Sequence, residues 1–122
     1  IALLVSAIGI INTMLTSIME RKREIGIMKV LGCSLVKING MFLIEAAVIG
    51  FLGGVTGVGL SYLVAMLVKL DPTLFGGTLR FVITPLLGFL AVAGSAAIGM
   101  MAGIYPATRA MRMSPLEALR NE

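Results

Sequence analysis

This chain offers few residue types from which catalysis is usually built. It has no histidine, and Cys33 is its single cysteine. The usual zinc and non-haem iron ligand sets, a cysteine metal cluster and an internal disulfide are therefore excluded. No GxxxxGK[ST] loop is present to cradle a phosphate, and no Ser/His/Asp set to activate a nucleophile. The nine methionines show no soft-metal spacing and read as adaptable packing residues. One ionisable residue invites a chemical role: Glu45, at the edge of a long apolar run. It is either a carboxylate at interfacial depth, solvated or paired with a cation such as Arg109, or a proton-coupling acid of a secondary transporter. The expectation is a chain with no catalytic residue, no metal and no cofactor of its own.

Recognition is the other chemistry available, and it concentrates in residues 19–34, MERKREIGIMKVLGCS. Five charged residues stand side by side from Glu20 to Glu24, and the apolar residues that follow are broken by Gly26, Lys29 and Gly32. On a helical wheel at about 100° per residue, Val30, Ile27, Leu31, Met28 and Ile25 form an apolar arc of about 220°. Gly26 and Lys29 fill most of the remainder. Such an arc is too wide for a solvated surface helix, and the segment is too short to span a bilayer. Gly32 is placed to stop the helix and Ser34 to cap the next one. The spacing thus predicts a short amphipathic helix over residues 24–32. Two uses compete: a re-entry turn gripping lipid headgroups, or an apolar ridge seated in a groove of a partner. Gly26 and Lys29 supply fewer cations than a surface anchor usually has, which favours the partner.

The rest of the chain positions that segment. Hydrophobic residues make up 58% of the sequence and charged residues 13%, with a mean hydropathy of +1.04. A soluble domain usually has about 45–50% apolar and about 25% charged residues, and a chain of 122 residues cannot hide this much apolar surface from water. Residues 1–19, 46–68 and 81–108 carry no charge. Each run approaches or exceeds the roughly 20 residues that a helix needs to cross about 30 Å of hydrocarbon. Lipid offers no partner to an unpaired backbone group, so each must be helical. The fold class is therefore all-α, a polytopic membrane protein with three spans at about 1–19, 46–68 and 84–108. The chain opens on Ile1 without a basic leader, which argues against a signal peptide and for a fragment that starts within or beside a helix.

Charge orients the spans. Arg21, Lys22, Arg23, Lys29 and Lys37 precede the second run, only Lys69 and Arg80 separate the second from the third, and Arg109, Arg112 and Arg120 follow. The excess of cations places residues 20–37 and the C-terminus in the cytoplasm and residues 69–80 outside. The net charge of +4 is thus explained by topology and anionic headgroups. The cations form no single stripe with interleaved aromatics, so no nucleic-acid partner is expected.

Small residues mark how the spans pack. Gly9, Thr13 and Ser17 recur at every fourth position, with Asn12 and Thr16 beside them. Gly50 with Gly54, and Gly53 with Gly57, are two GxxxG pairs, and Gly99 with Gly103 is a third. Such rows let helices approach closely, against one another or against partners. Asp71-Pro72 and Gly76-Gly77 mark an outer loop, and Thr84-Pro85 opens the third span. Pro106 is expected to kink or close it. Ser114-Pro115-Leu116-Glu117 fits a capping box that starts a cytoplasmic helix at about 115–120.

ERKREIGIMKVLG at residues 20–32, FLIEA at 42–46, the glycine-rich run after it and YPATRAMRMSPLEALRNE at 105–122 together resemble the MacB/FtsX-like ABC transporter permeases, over essentially the whole chain. That resemblance implies a permease whose four transmembrane helices are represented here by the second to fourth, without the first helix, the extracytoplasmic domain or a fused ATPase. It implies that residues 20–32 form the coupling helix. Ile25, Ile27, Met28, Val30 and Leu31 would then dock on a cytoplasmic ABC ATPase that binds ATP and magnesium, with Arg21, Arg23, Glu24 and Lys29 as a charged rim. The implied assembly is a permease homodimer or heterodimer in the bacterial inner membrane, with a possible periplasmic accessory protein. ATP-driven motion would export or extract a lipoprotein, peptide or drug-like substrate at the outer side. The alternatives are proton-coupled transport through Glu45, and a non-transporting signalling scaffold of the FtsX kind.

Overall fold

A computed structural model describes residues 1–70 and 84–114, together with Leu116 and Arg120. Among these residues the regular structure is helical throughout: α1 (Ala2–Glu20), α2 (Lys22–Val30), α3 (Leu35–Leu70) and α4 (Pro85–Arg112). Three of the four, α1, α3 and α4, are long and apolar enough to cross a membrane. The chain is an all-α, multi-pass membrane protein.

Each corner has a local cause. α1 passes into α2 at Arg21, where φ is −96° and ψ 13°. The Arg21 N–H still donates to the Ser17 carbonyl and the Ile25 N–H to the Arg21 carbonyl, both at 3.0 Å, so hydrogen bonds bridge the bend. α2 stops at Gly32, whose φ of +79° is a left-handed conformation that side chains with a Cβ rarely adopt. There the Gly32 N–H donates to the Lys29 carbonyl (3.2 Å) and the Cys33 N–H to the Met28 carbonyl (3.0 Å), the paired bonds of a Schellman motif. Ser34 then opens α3, its Oγ accepting from the Lys37 N–H over a long 3.4 Å.

α3 is longer than the uncharged run 46–68 predicted. Its 36 residues make about 54 Å of helix, against about 30 Å of hydrocarbon. Nothing between Leu35 and Glu45 breaks it, because a single glycine at Gly40 costs only about 1 kcal/mol in a helix interior. Thr84 is the N-cap of α4 with Pro85 in the first turn, as expected, although the Thr84 side chain makes no capping bond.

Pro106 does not close α4, which continues to Arg112. The ring removes one N–H from the helix ladder. Yet Pro106 is fully buried and flanked by buried Ala102, Gly103, Ala107 and Ala110, so packing holds the segment helical. Proline is tolerated in membrane helices when neighbours compensate in this way. The Asp71-Pro72 and Gly76-Gly77 turns lie outside the described residues, as does most of the helix expected at 115–120.

The core occupies the half of the bundle next to α2. Ile10, Met14 and Ile18 of α1, Ile25 of α2, Ile38, Phe42 and Ala46 of α3, and Ala102, Ala107 and Ala110 of α4 form one buried cluster. α4 is the hub: it packs along α3 and also against α1, whereas α1 and α3 touch little. Within this chain α1 packs through Ile10, Met14 and Ile18, whereas Gly9 and Thr13 are exposed and Ser17 half-buried. That small-residue row lies one position away, about 100° around the helix. Nothing lies within 4 Å of a Cβ built on Gly9, and Thr13 and Thr16 donate their hydroxyls to the Gly9 and Asn12 carbonyls of their own helix.

The α3–α4 seam is built from two rows of small residues four apart: Ala46, Gly50 and Gly54 face Ser95, Gly99 and Gly103. A Cβ on Gly50 would stand 2.5 Å from the Ser95 carbonyl oxygen and 3.1 Å from the Gly99 Cα; one on Gly99 would stand 2.7 Å from the Ala46 carbonyl oxygen. A Cβ on Gly103 would collide with the Ala46 Cβ.

The two GxxxG pairs of α3 fall on different surroundings. Gly53 and Gly57 do not pack within this chain: both are exposed, and Cβ atoms on them would meet nothing within 4 Å. Gly54 packs, but less closely than its partner Gly50. Gly50 is buried and Gly54 only half-buried. A Cβ on Gly54 would stand 3.0 Å from the Val92 Cα and 3.0 Å from the Ser95 Cβ, so part of what it meets is a side chain and not backbone. The seam therefore loosens one turn beyond Gly50, where the neighbours are Val92 and the Ser95 side chain.

Candidate partner-docking helix

α2 has two faces, and neither is wholly polar. Residues 25, 26, 28 and 29 fall on the side turned into the bundle. Ile25 and Gly26 are buried, and Met28 and Lys29 are half-buried, Met28 against the core cluster. Residues 23, 24, 27, 30 and 31 fall on the opposite side. Ile27, Val30 and Leu31 are 43%, 66% and 79% exposed. Glu24 and Arg23 beside them are exposed too, as is Arg21 at the corner with α1. The apolar arc seen in the sequence is therefore shared between two surroundings, the bundle taking Ile25 and Met28 and the outside receiving Ile27, Val30 and Leu31.

Lys29 was expected on a charged rim, and the structure turns it inward. Its Nζ donates to the carbonyls of Ala110 (3.0 Å), Met111 (2.7 Å) and Met113 (2.6 Å) at the end of α4. Three acceptors consume the three N–H bonds of an ammonium. The last carbonyls of any helix have no partner within it and carry its negative end. A cation there contributes about 0.3–1 kcal/mol, and up to about 2 kcal/mol when partly buried. Burial meanwhile pushes the Lys29 pKa below the ordinary lysine value. The wheel alone did not show this pairing, because it depends on where α4 ends. The available sign was Lys29 itself, a cation among apolar residues.

Elsewhere, Ser95 Oγ donates to the Gly50 carbonyl at 2.7 Å, a bond between α4 and α3 in the middle of the glycine seam. Glu45 is half-buried one position before Ala46, and Arg109 is exposed. Toward the far ends of α3 and α4 an open groove of about 520 Å³ is lined by apolar residues including Phe51, Val55, Phe89 and Val92, as suits surface in contact with lipid. Among the described residues, no group of three or more histidine, cysteine, aspartate or glutamate side chains comes together. The site thus combines an outward apolar ridge with a lysine bonded to the end of α4.

Residues 1–115 match the family described as FtsX-like permease C-terminal. The chain belongs to the FtsX-like permease family. All of it aligns at 43% identity with the macrolide export ATP-binding/permease protein MacB of Photorhabdus laumondii subsp. laumondii, covering 18% of that protein. The MacB of Nitrobacter winogradskyi is 42% identical over 98% of the chain and 18% of its own length. The probable syringafactin export ATP-binding/permease protein SyfD of Pseudomonas syringae pv. tomato is 40% identical over the whole chain, again 18% of the relative. This FtsX-like permease chain thus spans about 18% of the length of the curated relatives it matches. What it matches is the C-terminal part of a permease.

Proposed function

We propose that this chain is a transmembrane segment of an ABC exporter and that α2 is its coupling helix, held on the cytoplasmic side. The observation that carries this is the exposed ridge Ile27, Val30 and Leu31 beside the charges of Arg23 and Glu24. Full burial of such aliphatic side chains is worth about 1.5–3 kcal/mol each, so the ridge favours a partner with a matching groove. The names of the relatives join an ATP-binding and a permease function in one protein, which supplies the partner class: an ABC ATPase domain, fused or separate, carrying ATP and magnesium. Arg21, Arg23 and Glu24 set the register of docking. The distribution of cations, dense around α2 and after α4, supports these ends lying on the cytoplasmic side of the bacterial inner membrane and residues 69–80 outside.

In the working cycle, ATP-driven closure of two ATPase units pushes α2, and the bundle relays the motion to the outer side, where substrate is extruded. The relatives named for macrolide and syringafactin export favour a drug-like or peptide substrate over an ion. They also weigh against proton-coupled transport through Glu45. The exposed small residues, Gly9 and Thr13 of α1 and Gly53 and Gly57 of α3, with half-buried Ser17 at the edge of the α1 row, are faces for further helices, including those of a second permease subunit.

A photocrosslinking residue at Val30 of the full-length transporter in native membranes tests the docking. Capture of the ATP-binding domain is expected, and capture of lipid alone overturns the proposal. Ile27→Asp combined with Leu31→Asp should abolish that capture and uncouple ATP hydrolysis from export.

A further inference from the structure

α2 is covalently continuous with α1 through Arg21 and with α3 through Gly32, so force on it could enter the bundle by either neighbour. The three bonds from Lys29 point to a third route. They join the α2–α3 corner to the end of α4, a helix 81–84 residues away in sequence. The α2 and α4 backbones themselves make few close approaches, so the long lysine side chain spans the space between them. α4 is also the helix that packs most extensively against the other two spans. It is clamped to α3 by backbone contacts at Gly50 and Gly99 and by the Ser95–Gly50 bond. Glycine contacts of this closeness leave no soft side chains to absorb a displacement, so α3 and α4 move as a block.

We infer that Lys29 is a positioning residue that ties α2 to the last turn of α4, so that a push on the outer face of α2 is delivered to α4 and, through the glycine seam, to α3. This deepens the proposed function and rests on α2 receiving force. Lys29 touches neither nucleotide nor substrate. It acts by holding three carbonyls with one ammonium, an arrangement that a methionine of similar length cannot reproduce and that an arginine, with its own fork of donors, reproduces in part.

The test is hydrogen–deuterium exchange of the full-length transporter in lipid nanodiscs, without nucleotide and trapped with ATP and vanadate. Residues 22–30 and 104–113 are followed in wild type, Lys29→Arg, Lys29→Gln and Lys29→Met. In wild type and Lys29→Arg, both segments should change on trapping. In Lys29→Met, the α2 change should persist while the α4 change falls by at least half, with Lys29→Gln between. Because the readout is the difference made by nucleotide, a merely loosened helix end does not mimic it. A full α4 response in either neutral variant overturns the tie, and so does a wild-type response confined to α2. Absence of any α2 response in wild type overturns the docking of the ATPase and the tie with it, a result distinguishable from loss of the α4 response alone.

Discussion

Ser95 and Gly50 are joined across the α3–α4 seam by a 2.7 Å hydrogen bond from the serine Oγ to the glycine carbonyl. The bond sits where the two backbones approach closely, because neither Gly50 nor Gly99 has a Cβ to hold them apart. In a bilayer the hydrophobic effect does not press helices together, so close van der Waals packing and such polar bonds carry the association. Ser95→Ala should therefore destabilise the bundle by roughly 0.5–1.5 kcal/mol, the scale of interhelical hydrogen bonds in membranes, measured by reversible unfolding in mixed micelles.

The glycines of the seam should separate into classes. Gly50→Ala and Gly99→Ala force a Cβ onto backbone atoms 2.5–2.7 Å away, and backbone cannot swing aside as a side chain can. A cost of about 1–3 kcal/mol is expected from overpacking. Gly54→Ala should cost less than Gly50→Ala, since its nearest neighbours stand at 3.0 Å and include the Ser95 side chain. Gly53→Ala and Gly57→Ala meet nothing within 4 Å and should be neutral or slightly stabilising for an isolated chain, since alanine is the better helix former by about 1 kcal/mol. Equal melting shifts for the inward and outward glycines would falsify the assignment of the seam.

The two faces of α2 predict opposite phenotypes. Ile25 is 2% exposed, so Ile25→Ala should lower stability by about 2 kcal/mol or more through the cavity it leaves. Leu31→Ala, on the outward ridge, should change stability by no more than about 0.5 kcal/mol while weakening crosslinking of the ATP-binding domain to α2. A melting scan paired with the crosslinking assay distinguishes the two, and loss of stability from Leu31→Ala with intact crosslinking would contradict the placement of the ridge.

Gly32 should resist substitution although a Cβ there has open space. Nothing lies within 4 Å, but φ is +79°. An L-residue in this conformation costs roughly 1–2 kcal/mol, so Gly32→Ala should destabilise by about that amount, and Gly32→Asn by less because asparagine tolerates the left-handed region. Comparison of melting midpoints for the two variants checks this.

Glu45→Gln should preserve ATP-driven export, within the roughly 0.5 kcal/mol typical of substitutions away from specific contacts. A carboxylate that carried the transported proton would lose its function completely on this change. Export measured in membrane vesicles energised by ATP, with the proton gradient collapsed, gives the answer directly.

Much was visible in the residues themselves. The three spans follow from uncharged length, because partition into lipid depends on composition summed along a segment and not on neighbours. The stop at Gly32, the start at Thr84-Pro85 and the capping place of Ser34 follow from backbone preferences that act within a few residues. α3 exceeded its uncharged run because charge marks where lipid ends, whereas a helix ends only where something breaks it.

What the tertiary structure decided are relations between residues far apart in the chain. Gly50 and Gly53 each start a GxxxG pair and are locally equivalent, yet only one pair faces α4. Within that pair Gly50 is buried and Gly54 half-buried, Gly50 lying against the backbone of Ser95, Ala96 and Gly99 and Gly54 against Val92 and the Ser95 side chain. Gly9, Thr13 and Ser17 are the smaller row of α1, yet Ile10, Met14 and Ile18 enter the core. Lys29 belongs by sequence to a charged segment, but the unpaired carbonyls at the end of α4 draw it inward. Pro106 should end a helix, but the packing around it keeps it inside one. In each case the local preference is worth about 1 kcal/mol or, for proline, about 3 kcal/mol, and contacts made across the bundle outweigh it.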